Sequence, residues 1–261
     1  MKINYKMRRG FTLVELLVVI VIIAALAGLT APMVIKQRKK ADQIEAVSNA
    51  KQVGLAMFEF ETEYGSFPDG TLGELINTNV GGTLVAPVKI ETSNDAFTQL
   101  IAAGIARSEQ MFFCKTAYST VKPDNVYSKN DETLKKGDVG FGYMMEAGGA
   151  GAGGNSGRVT LDVEPKFTSG SKGFTAAGNS ARVLIAAPLK YSAGSFTPKQ
   201  FDKDLYDSHA VVLKMDNSAT SLPINKDGEA VLGGVKKLFD QGPDTVWGEG
   251  VIPMMLNPRG K

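Results

Sequence analysis

The feature that most constrains this chain is a run of twenty uncharged, mostly apolar residues at positions 16–35. As a helix rising about 1.5 Å per residue, the run extends about 30 Å, which matches the hydrocarbon thickness of a bilayer. A secretory signal peptide places small residues for cleavage after its apolar stretch, whereas here the apolar run continues through Ala31 and Pro32 into more helix. The sequence therefore predicts one retained transmembrane helix near the N-terminus.

Basic residues flank the run on both sides. Residues 1–10 carry four of them and no acid, which is typical of a membrane-targeting segment. Four more follow the span, so the positive-inside rule alone does not decide the orientation. The two sets are Lys2, Lys6, Arg8 and Arg9 before the run, and Lys36, Arg38, Lys39 and Lys40 after it.

The composition narrows the class of protein. The residues that follow the apolar run are enough for one globular domain with a buried core. The chain has 29 Lys and Arg against 27 Asp and Glu, without the basic and aromatic pattern of nucleic-acid surfaces, so nucleic acid is not expected as a main partner. Cys114 is the sole cysteine, which excludes an intrachain disulfide, and its apolar neighbours predict a buried, inert thiol.

Glu15 lies close to the start of the apolar stretch, where an ionised carboxylate is costly unless it is paired or neutralised. Such a residue is by default a candidate for function. The alternative is that Glu15 lies near the membrane interface and reaches water.

The residues around Glu15 form an ordered motif, Arg8-Arg9-Gly10-Phe11-Thr12-Leu13-Val14-Glu15-Leu16. It resembles the processing site of the type IV prepilin superfamily, which includes pilins and the pseudopilins of type II secretion. The resemblance implies that a prepilin peptidase cuts between Gly10 and Phe11 on the cytoplasmic side and methylates the new amino group of Phe11.

The same resemblance implies how subunits assemble. The acid at Glu15 is expected to meet the N-terminal amine of a neighbouring subunit, since two opposite charges neutralise each other in a dry interior. Thr12 and Pro32 are further expected assembly residues, and Pro32 matches the superfamily's helix-kinking proline. An N-terminus in the cytoplasm also follows from the resemblance.

Beyond Lys40 the helix is predicted to continue with one core-facing stripe. The stripe comprises Ile44, Val47, Ala50, Val53, Met57, Phe60 and Tyr64. Tyr64-Gly65-Ser66-Phe67-Pro68 then predicts the end of the helix, because glycine and a nearby proline are stop signals. This exit resembles that of major pseudopilins.

The rest of the chain predicts an α+β fold, in which the long helix packs on an antiparallel sheet in the manner of pilins. Short helices are predicted at 72–76 and 96–106, and strands at 110–115, 139–145, 159–163, 182–187, 210–215 and 220–224. The last two strands flank Asp216-Asn217-Ser218 and predict a hairpin that resembles one found late in prepilin-type proteins. The predicted organisation is a leader at 1–10, a transmembrane helix at 11–35, its amphipathic half at 36–65 and a globular domain at 66–261.

Two segments carry patterns that other classes of site would use. Gly149, Gly151 and Gly154 formally match the dinucleotide-binding Gly-x-Gly-x-x-Gly, but no helix is readable after them, which favours a surface loop. Asp202, Asp204 and Asp207 are candidate calcium ligands, and several pseudopilins bind calcium in a late loop; the favoured interpretation is a solvated acidic loop.

Two single residues have structural interpretations. His209 is the only histidine, so no multi-histidine metal centre is possible, and a structural hydrogen bond at the hairpin is expected. Trp247 is expected to be a packing anchor for the C-terminal segment.

The resulting prediction is a non-enzymatic subunit of a type II secretion pseudopilus or a related type IV pilus-like filament. Long pili usually rely on a C-terminal disulfide, which this chain with its single cysteine cannot make. A pseudopilin is therefore favoured, and a disulfide-free pilin is the alternative. The implied partners are copies of itself or other pseudopilins, the prepilin peptidase, an inner-membrane assembly platform and lipid, with the globular domain in the periplasm. The alternative is a periplasmic binding protein or enzyme that uses the helix only as a tether. No cofactor is predicted, calcium being the open candidate.

Overall fold

The computed structural model describes residues 11–80, 84–119, 121–125, 134–146, 172–190, 200–232, 236–238, 245–248, 251 and 253–259. Its dominant element is helix α1, Leu13–Tyr64, of 52 residues. Thr12 caps its start, and Gly65 ends it in the left-handed conformation at φ 86°, donating its amide to the Glu61 carbonyl at 2.7 Å. The predicted stop at Tyr64 is therefore confirmed, and the glycine is needed there because other residues resist positive φ.

Helix α1 runs through Pro32 as one continuous element. Proline has no amide hydrogen, so the carbonyl four residues earlier, at Gly28, receives no helical bond from it. The Thr30 hydroxyl donates to the Leu26 carbonyl, four residues earlier, at 3.0 Å, which is a bond that threonine commonly makes within a helix. The apolar half and the amphipathic half are thus one helix.

The amphipathic half buries one face. Its buried residues are Gln43, Ala46, Asn49, Ala50, Val53, Gly54, Ala56, Met57 and Phe60. The predicted stripe is confirmed from Ala50 to Phe60, but it is wrong at Ile44, which is 61% exposed. Successive helical residues turn by about 100°, so Ile44 lies about 160° from Ala46, on the side away from the core.

Two shorter helices follow, α2 Gly73–Val80 and α3 Ser93–Ala102. Both confirm predicted helices, with bounds shifted by a few residues. The predicted strand at 110–115 is wrong, because Glu109–Phe112 is a short 3-10 helix. Its start is fixed by the Ser108 hydroxyl, which accepts the Gln110 amide at 3.2 Å, and this local bond competes with an extended backbone.

Seven strands are present in the described residues: β1 Gly142–Glu146, β2 Val183–Ala187, β3 His209–Lys214, β4 Ala219–Pro223, β5 Val231–Leu232, β6 Lys236–Lys237 and β7 Pro253–Leu256. Five form one antiparallel sheet in the order β4-β3-β2-β1-β7, and β5 pairs with β6. Helix α1 packs on β3 and β4. The predicted α+β class is confirmed, as are four predicted strands, while the strand predicted at 159–163 lies outside the described residues.

The β3–β4 hairpin turns at Asn217, whose φ is 60°. Asn217 donates its amide to the Lys214 carbonyl at 3.0 Å, and Lys214 donates to the Ser218 carbonyl at 3.0 Å. The Ser218 hydroxyl and amide both donate hydrogen bonds to the Asp216 carboxylate, which lowers the pKa of Asp216. The predicted hairpin is confirmed, with asparagine tolerating the left-handed position.

The C-terminal segment is anchored by Trp247, which is fully buried. Its indole Nε1 donates to the Leu238 carbonyl at 3.0 Å, and its ring stacks near Phe174 at 6.0 Å between centroids. Arg182 lies over the Phe174 ring and donates Nη2 to the Trp247 carbonyl at 2.7 Å. The predicted packing role of Trp247 is confirmed.

A close approach between α1 and the hairpin generates a prediction at Gly54. A Cβ there would collide with the Asn217 side-chain oxygen and lie 3.0 Å from Leu213 Cδ2. Overpacking costs about 1–3 kcal/mol, more than the roughly 1 kcal/mol by which alanine exceeds glycine as a helix former. We expect Gly54→Ala to lower the Tm of the full chain in detergent by about 2–6 °C.

The matched control is the double variant Gly54→Ala with Asn217→Gly, in which glycine keeps the positive φ of the turn while removing the colliding side chain. Its Tm should lie nearer to that of the Asn217→Gly single variant than additivity predicts. A Gly54→Ala protein as stable as the unsubstituted chain would contradict the close packing.

Candidate functional site

The candidate site is the N-terminal end of α1. Gly10 lies outside the described residues, and Phe11 is the first residue described, 82% exposed. Thr12 has extended backbone angles, φ −81° and ψ 150°, and Leu13 begins the helix. Residues 11 and 12 therefore precede the helix in non-helical backbone, as an N-cap does.

Glu15 is held by Thr12 in a reciprocal capping box. The Glu15 amide donates to Thr12 Oγ1 at 3.2 Å, while the Thr12 amide and hydroxyl both donate to Glu15 Oε2 at 2.9 and 2.8 Å. Threonine followed three residues later by glutamate is the sequence signature of this arrangement. Thr12 was expected to act in assembly, but its contact with Glu15 was not predicted, although the Thr-x-x-Glu spacing in the sequence signals it.

The capping box uses one carboxylate oxygen and spares the other. Within the described residues, no hydrogen bond reaches Glu15 Oε1. The two donors to Oε2 are neutral, so they partly satisfy the group without removing its charge. The arrangement can accept one cationic donor at Oε1 without breaking either bond to Thr12.

The helix surface that follows the capping box is apolar on every side. Its large apolar side chains are between 45% and 77% exposed from Leu16 to Ile35. Helix α1 is the one helix of the described residues that is long and apolar enough to cross a membrane, and none of that stretch is buried against the rest of the chain. Such a surface is stable only when lipid or other apolar groups cover it.

Just after the apolar segment in the chain, polar contacts attach α1 to the globular domain. Lys40 Nζ donates to Gln43 Oε1 at 2.8 Å, and Gln43 Nε2 donates to Ser221 Oγ on β4 at 2.6 Å. Lys115 forms an ion pair with Asp42 at 3.0 Å. The globular domain therefore begins about two turns after the apolar run ends.

The two candidate reactive side chains are both engaged in the structure. Cys114 is buried, and burial raises the pKa of its thiol far above the ordinary range. His209 donates Nδ1–H to the Asp207 carbonyl, 2.8 Å away, which is the structural hydrogen bond expected from the sequence. The buried thiol is therefore not available as a nucleophile, and His209 is held in place through Nδ1.

The three aspartates proposed as calcium ligands do not converge. Asp202 Oδ1 accepts the Asp204 amide at 2.9 Å, which is a local turn contact, and Asp207 sits in a left-handed turn at φ 54°. No group of three or more His, Cys, Asp or Glu side chains in the described part of the chain is arranged to hold a metal ion. The glycine-rich segment with Gly149, Gly151 and Gly154 lies outside that part.

Comparison with known proteins finds a family that matches this end of the chain. The family described as “Prokaryotic N-terminal methylation motif” matches residues 5–31. This segment carries a prepilin-type methylation motif. The match spans the expected cleavage position, the capping box and most of the apolar run, so the resemblance to the type IV prepilin superfamily is confirmed.

Curated relatives point in the same direction. The chain is 36% identical over 66 residues to type II secretion system core protein G of Pectobacterium carotovorum subsp. carotovorum, covering 25% of this chain and 42% of that protein. The corresponding protein of Escherichia coli (strain K12) is 29% identical over 96 residues, 37% of this chain and 65% of that one. The corresponding protein of Dickeya chrysanthemi is 38% identical over 71 residues, which cover 26% of this chain and 46% of that protein. The chain thus spans between 42% and 65% of the length of these relatives. No solved structure matches the chain significantly.

The burial of Cys114 generates a prediction for thiol chemistry. Because the thiolate is the reactive form and the group is both buried and shifted to a higher pKa, we expect iodoacetamide at pH 8 to leave Cys114 unlabelled in the folded chain. Full labelling should appear in denaturant, as read by intact mass. A Gln52→Cys variant, whose new thiol lies on the exposed side of α1, should label once without denaturant. Rapid labelling of native Cys114 would contradict its burial.

Proposed function

We propose that this chain is a structural subunit of a type II secretion pseudopilus or a related type IV pilus-like filament. The observation that carries the proposal is the methylation motif at residues 5–31, which leads into a helix exposed on its apolar half and buried on its amphipathic half. A helix of this kind can exchange lipid for the helices of neighbouring subunits while the domain stays folded. The type II secretion relatives support the same assignment.

The precursor is processed before it assembles. A prepilin peptidase cuts between Gly10 and Phe11, removes the basic leader at 1–10 and methylates the amine of Phe11. Residues 11–35 then hold the subunit in the membrane, residues 36–65 continue the helix, and residues 66–261 form the globular domain. The extended backbone at Thr12 supports this position for the cut.

Assembly joins the freed amine to a carboxylate. The amine of Phe11 in one subunit binds Oε1 of Glu15 in the next, while Thr12 keeps Oε2 occupied and holds the side chain in place. Inside an apolar bundle the attraction between the two opposite charges offsets the cost of removing each of them from water, whereas a single buried charge would have no such compensation. Pro32 loosens the helix near the end of the span, so neighbouring helices can adjust their packing.

The subunit is a single-pass protein of the bacterial inner membrane, with its N-terminus in the cytoplasm and its domain in the periplasm. Its partners are copies of itself or other pseudopilins, the peptidase and an inner-membrane assembly platform. The filament then lies in the periplasm or at the cell surface. No cofactor takes part.

A structural role, rather than catalysis by a tethered enzyme, is supported by the state of the only cysteine of the chain, which is buried with a raised pKa and is not available as a nucleophile. The only histidine makes a structural hydrogen bond to a backbone carbonyl through Nδ1. A tethered enzyme would also have no use for removal of the leader. We therefore assign the globular domain to the filament.

Processing is tested at Gly10. We expect Gly10→Ala to leave the precursor uncut in the membrane, because a side chain at that position blocks a tight protease site. Mass spectrometry of the N-terminus should find the leader attached in the variant and a methylated Phe11 in the unsubstituted chain. Gly28→Ala, at a glycine with no atom within 4 Å of the added Cβ, should be processed normally. A mature Gly10→Ala protein would refute the cleavage assignment.

Assembly is tested at Glu15. Glu15→Ala should be cut and methylated normally but should form at least about tenfold fewer filaments, since an unpaired buried amine costs several kcal/mol. Filaments sheared from cells expressing the chain and its peptidase give the measurement. The control is Glu74→Ala, which removes an exposed acid from α2. Unchanged filament yield in Glu15→Ala would sink the pairing with the amine.

A further inference from the structure

The four cations that follow the apolar segment form an arc around α1. Lys36, Arg38 and Lys40 are exposed, and Lys39 is partly buried. At about 100° per residue the four positions cover about 200° of the helix circumference. Within the described residues the side chains of Lys36, Arg38 and Lys39 make no ion pair or hydrogen bond, and Lys40 reaches only the neutral Gln43. We name these four residues the cationic arc.

The cationic arc faces the side of α1 on which the globular domain lies. Lys39, in the middle of the arc, is turned only about 20° from Ala46 and about 20° from Ala50. Both alanines are fully buried in the core. At the same level the opposite side of the helix carries Gln37 and Ala41, which have no charge. The cations therefore lie between the bilayer and the domain.

The arc also lies at the depth of lipid phosphates. Residues 16–35 fill the hydrocarbon layer, and residues 36–40 then advance about 6 Å, which is the thickness of the headgroup layer on one side of a bilayer. Asp42, the first acid after the arc, is partly buried and forms an ion pair with Lys115 at 3.0 Å. It therefore does not neutralise the arc.

The edge strand β4 brings the domain to the same level. Asn217, just before β4, contacts α1 at Gly54, and Ser221 accepts the Gln43 side chain at 2.6 Å. The strand thus runs along α1 toward the apolar segment. Pro223, about 7 Å further, is then about level with residues 38–40. The turn closed by the bridge between residues 224 and 230 follows it, so this end of the domain reaches the plane of the cationic arc.

We propose that the cationic arc binds the phosphate groups of anionic phospholipids and thereby seats the end of the domain formed by residues 223–230 on the bilayer surface. This inference rests on the membrane-held subunit of the proposed function and adds a lipid ligand to it. A lipid surface fits because the cations are spread over an open arc at headgroup depth, where each Lys or Arg adds to the attraction of an anionic bilayer. The bound lipids would fix the orientation of the domain before assembly.

The test places a fluorescent reporter on the seated end of the full chain in vesicles. Lys226 is exposed, so Lys226→Cys can be labelled with bimane while the buried Cys114 stays unlabelled. Quenching is measured with phosphatidylglycerol or phosphatidylcholine that carries a nitroxide close to its headgroup, in otherwise zwitterionic vesicles. We expect phosphatidylglycerol to quench at least about twofold more strongly, and about 0.5 M salt to remove the difference.

The arc variant combines Lys36→Gln, Arg38→Gln and Lys39→Gln in the reporter chain. It keeps Lys40, because Lys40 donates to Gln43 at the junction with the domain. Glutamine is a good helix former, so the Tm should be unchanged, and the ratio of quenching by the two lipids should fall to about one. The matched control has the same net charge and should keep the twofold preference; it replaces three exposed lysines further along the chain, Lys51→Gln, Lys89→Gln and Lys172→Gln.

The outcomes separate this inference from the proposed function. Equal quenching by the two lipids with the arc intact, or a preference that the arc variant retains, overturns the proposal. A salt-sensitive association of copies in place of the lipid preference assigns the arc to acidic groups of a second copy and also overturns it. A processed, filament-forming chain without lipid preference leaves the function standing, whereas an unprocessed chain that prefers phosphatidylglycerol refutes the function and supports the arc.

Discussion

The structure depends on a single helix that needs two different surroundings. Its first half is apolar on every side and exposed, whereas its second half buries Ala46, Ala50 and Val53 against the sheet. Because the helix is unbroken, the position of the domain fixes the direction in which the apolar half leaves it. Polar contacts such as Gln43 to Ser221 hold that direction at the junction. The chain therefore presents its apolar half as a continuous extension of the packed half, which suits packing into a bundle.

The one acid of the apolar half shows how a charge is kept in such an extension. Thr12 occupies Glu15 Oε2 with two neutral donors, so the carboxylate is partly satisfied before any partner arrives. A carboxylate without these bonds would be more costly in the bilayer and free to rotate. The capping box thus serves both the local start of the helix and the recognition that we propose for it.

Much of this arrangement can be read from the sequence because its causes are local. The span of 16–35, the stop at Gly65 and the turn at Asn217 each depend on a few adjacent residues with strong backbone or hydropathy preferences. The 3-10 helix at Glu109–Phe112 was missed because its apolar residues resemble a strand, and a distant asparagine, Asn125, accepts the Glu109 amide at 2.9 Å. Ile44 was wrongly assigned to the buried face because a series of steps of three and four residues can be drawn through more than one set of positions on the same helix.

The candidate site shows the same division. Glu15 could be singled out from its charge in an apolar run, and the Thr12 contact was readable from its spacing. The convergence or separation of Asp202, Asp204 and Asp207 could not be predicted, because it depends on the three-residue left-handed turn at 206–208. Spacing along the chain reports which ligands are available, and only the backbone path decides whether they meet.

The packing of Trp247 has a consequence for the environment in which the domain can persist. Its bonds to Leu238 and Arg182 and its contact with Phe174 clasp the C-terminal segment to the body of the domain without a covalent link. Since the sole cysteine is buried and has no cysteine partner, no disulfide can be reduced or formed within the chain. The attachment of the C-terminal segment therefore does not depend on the redox potential of the compartment, and it needs no disulfide-forming enzyme during maturation.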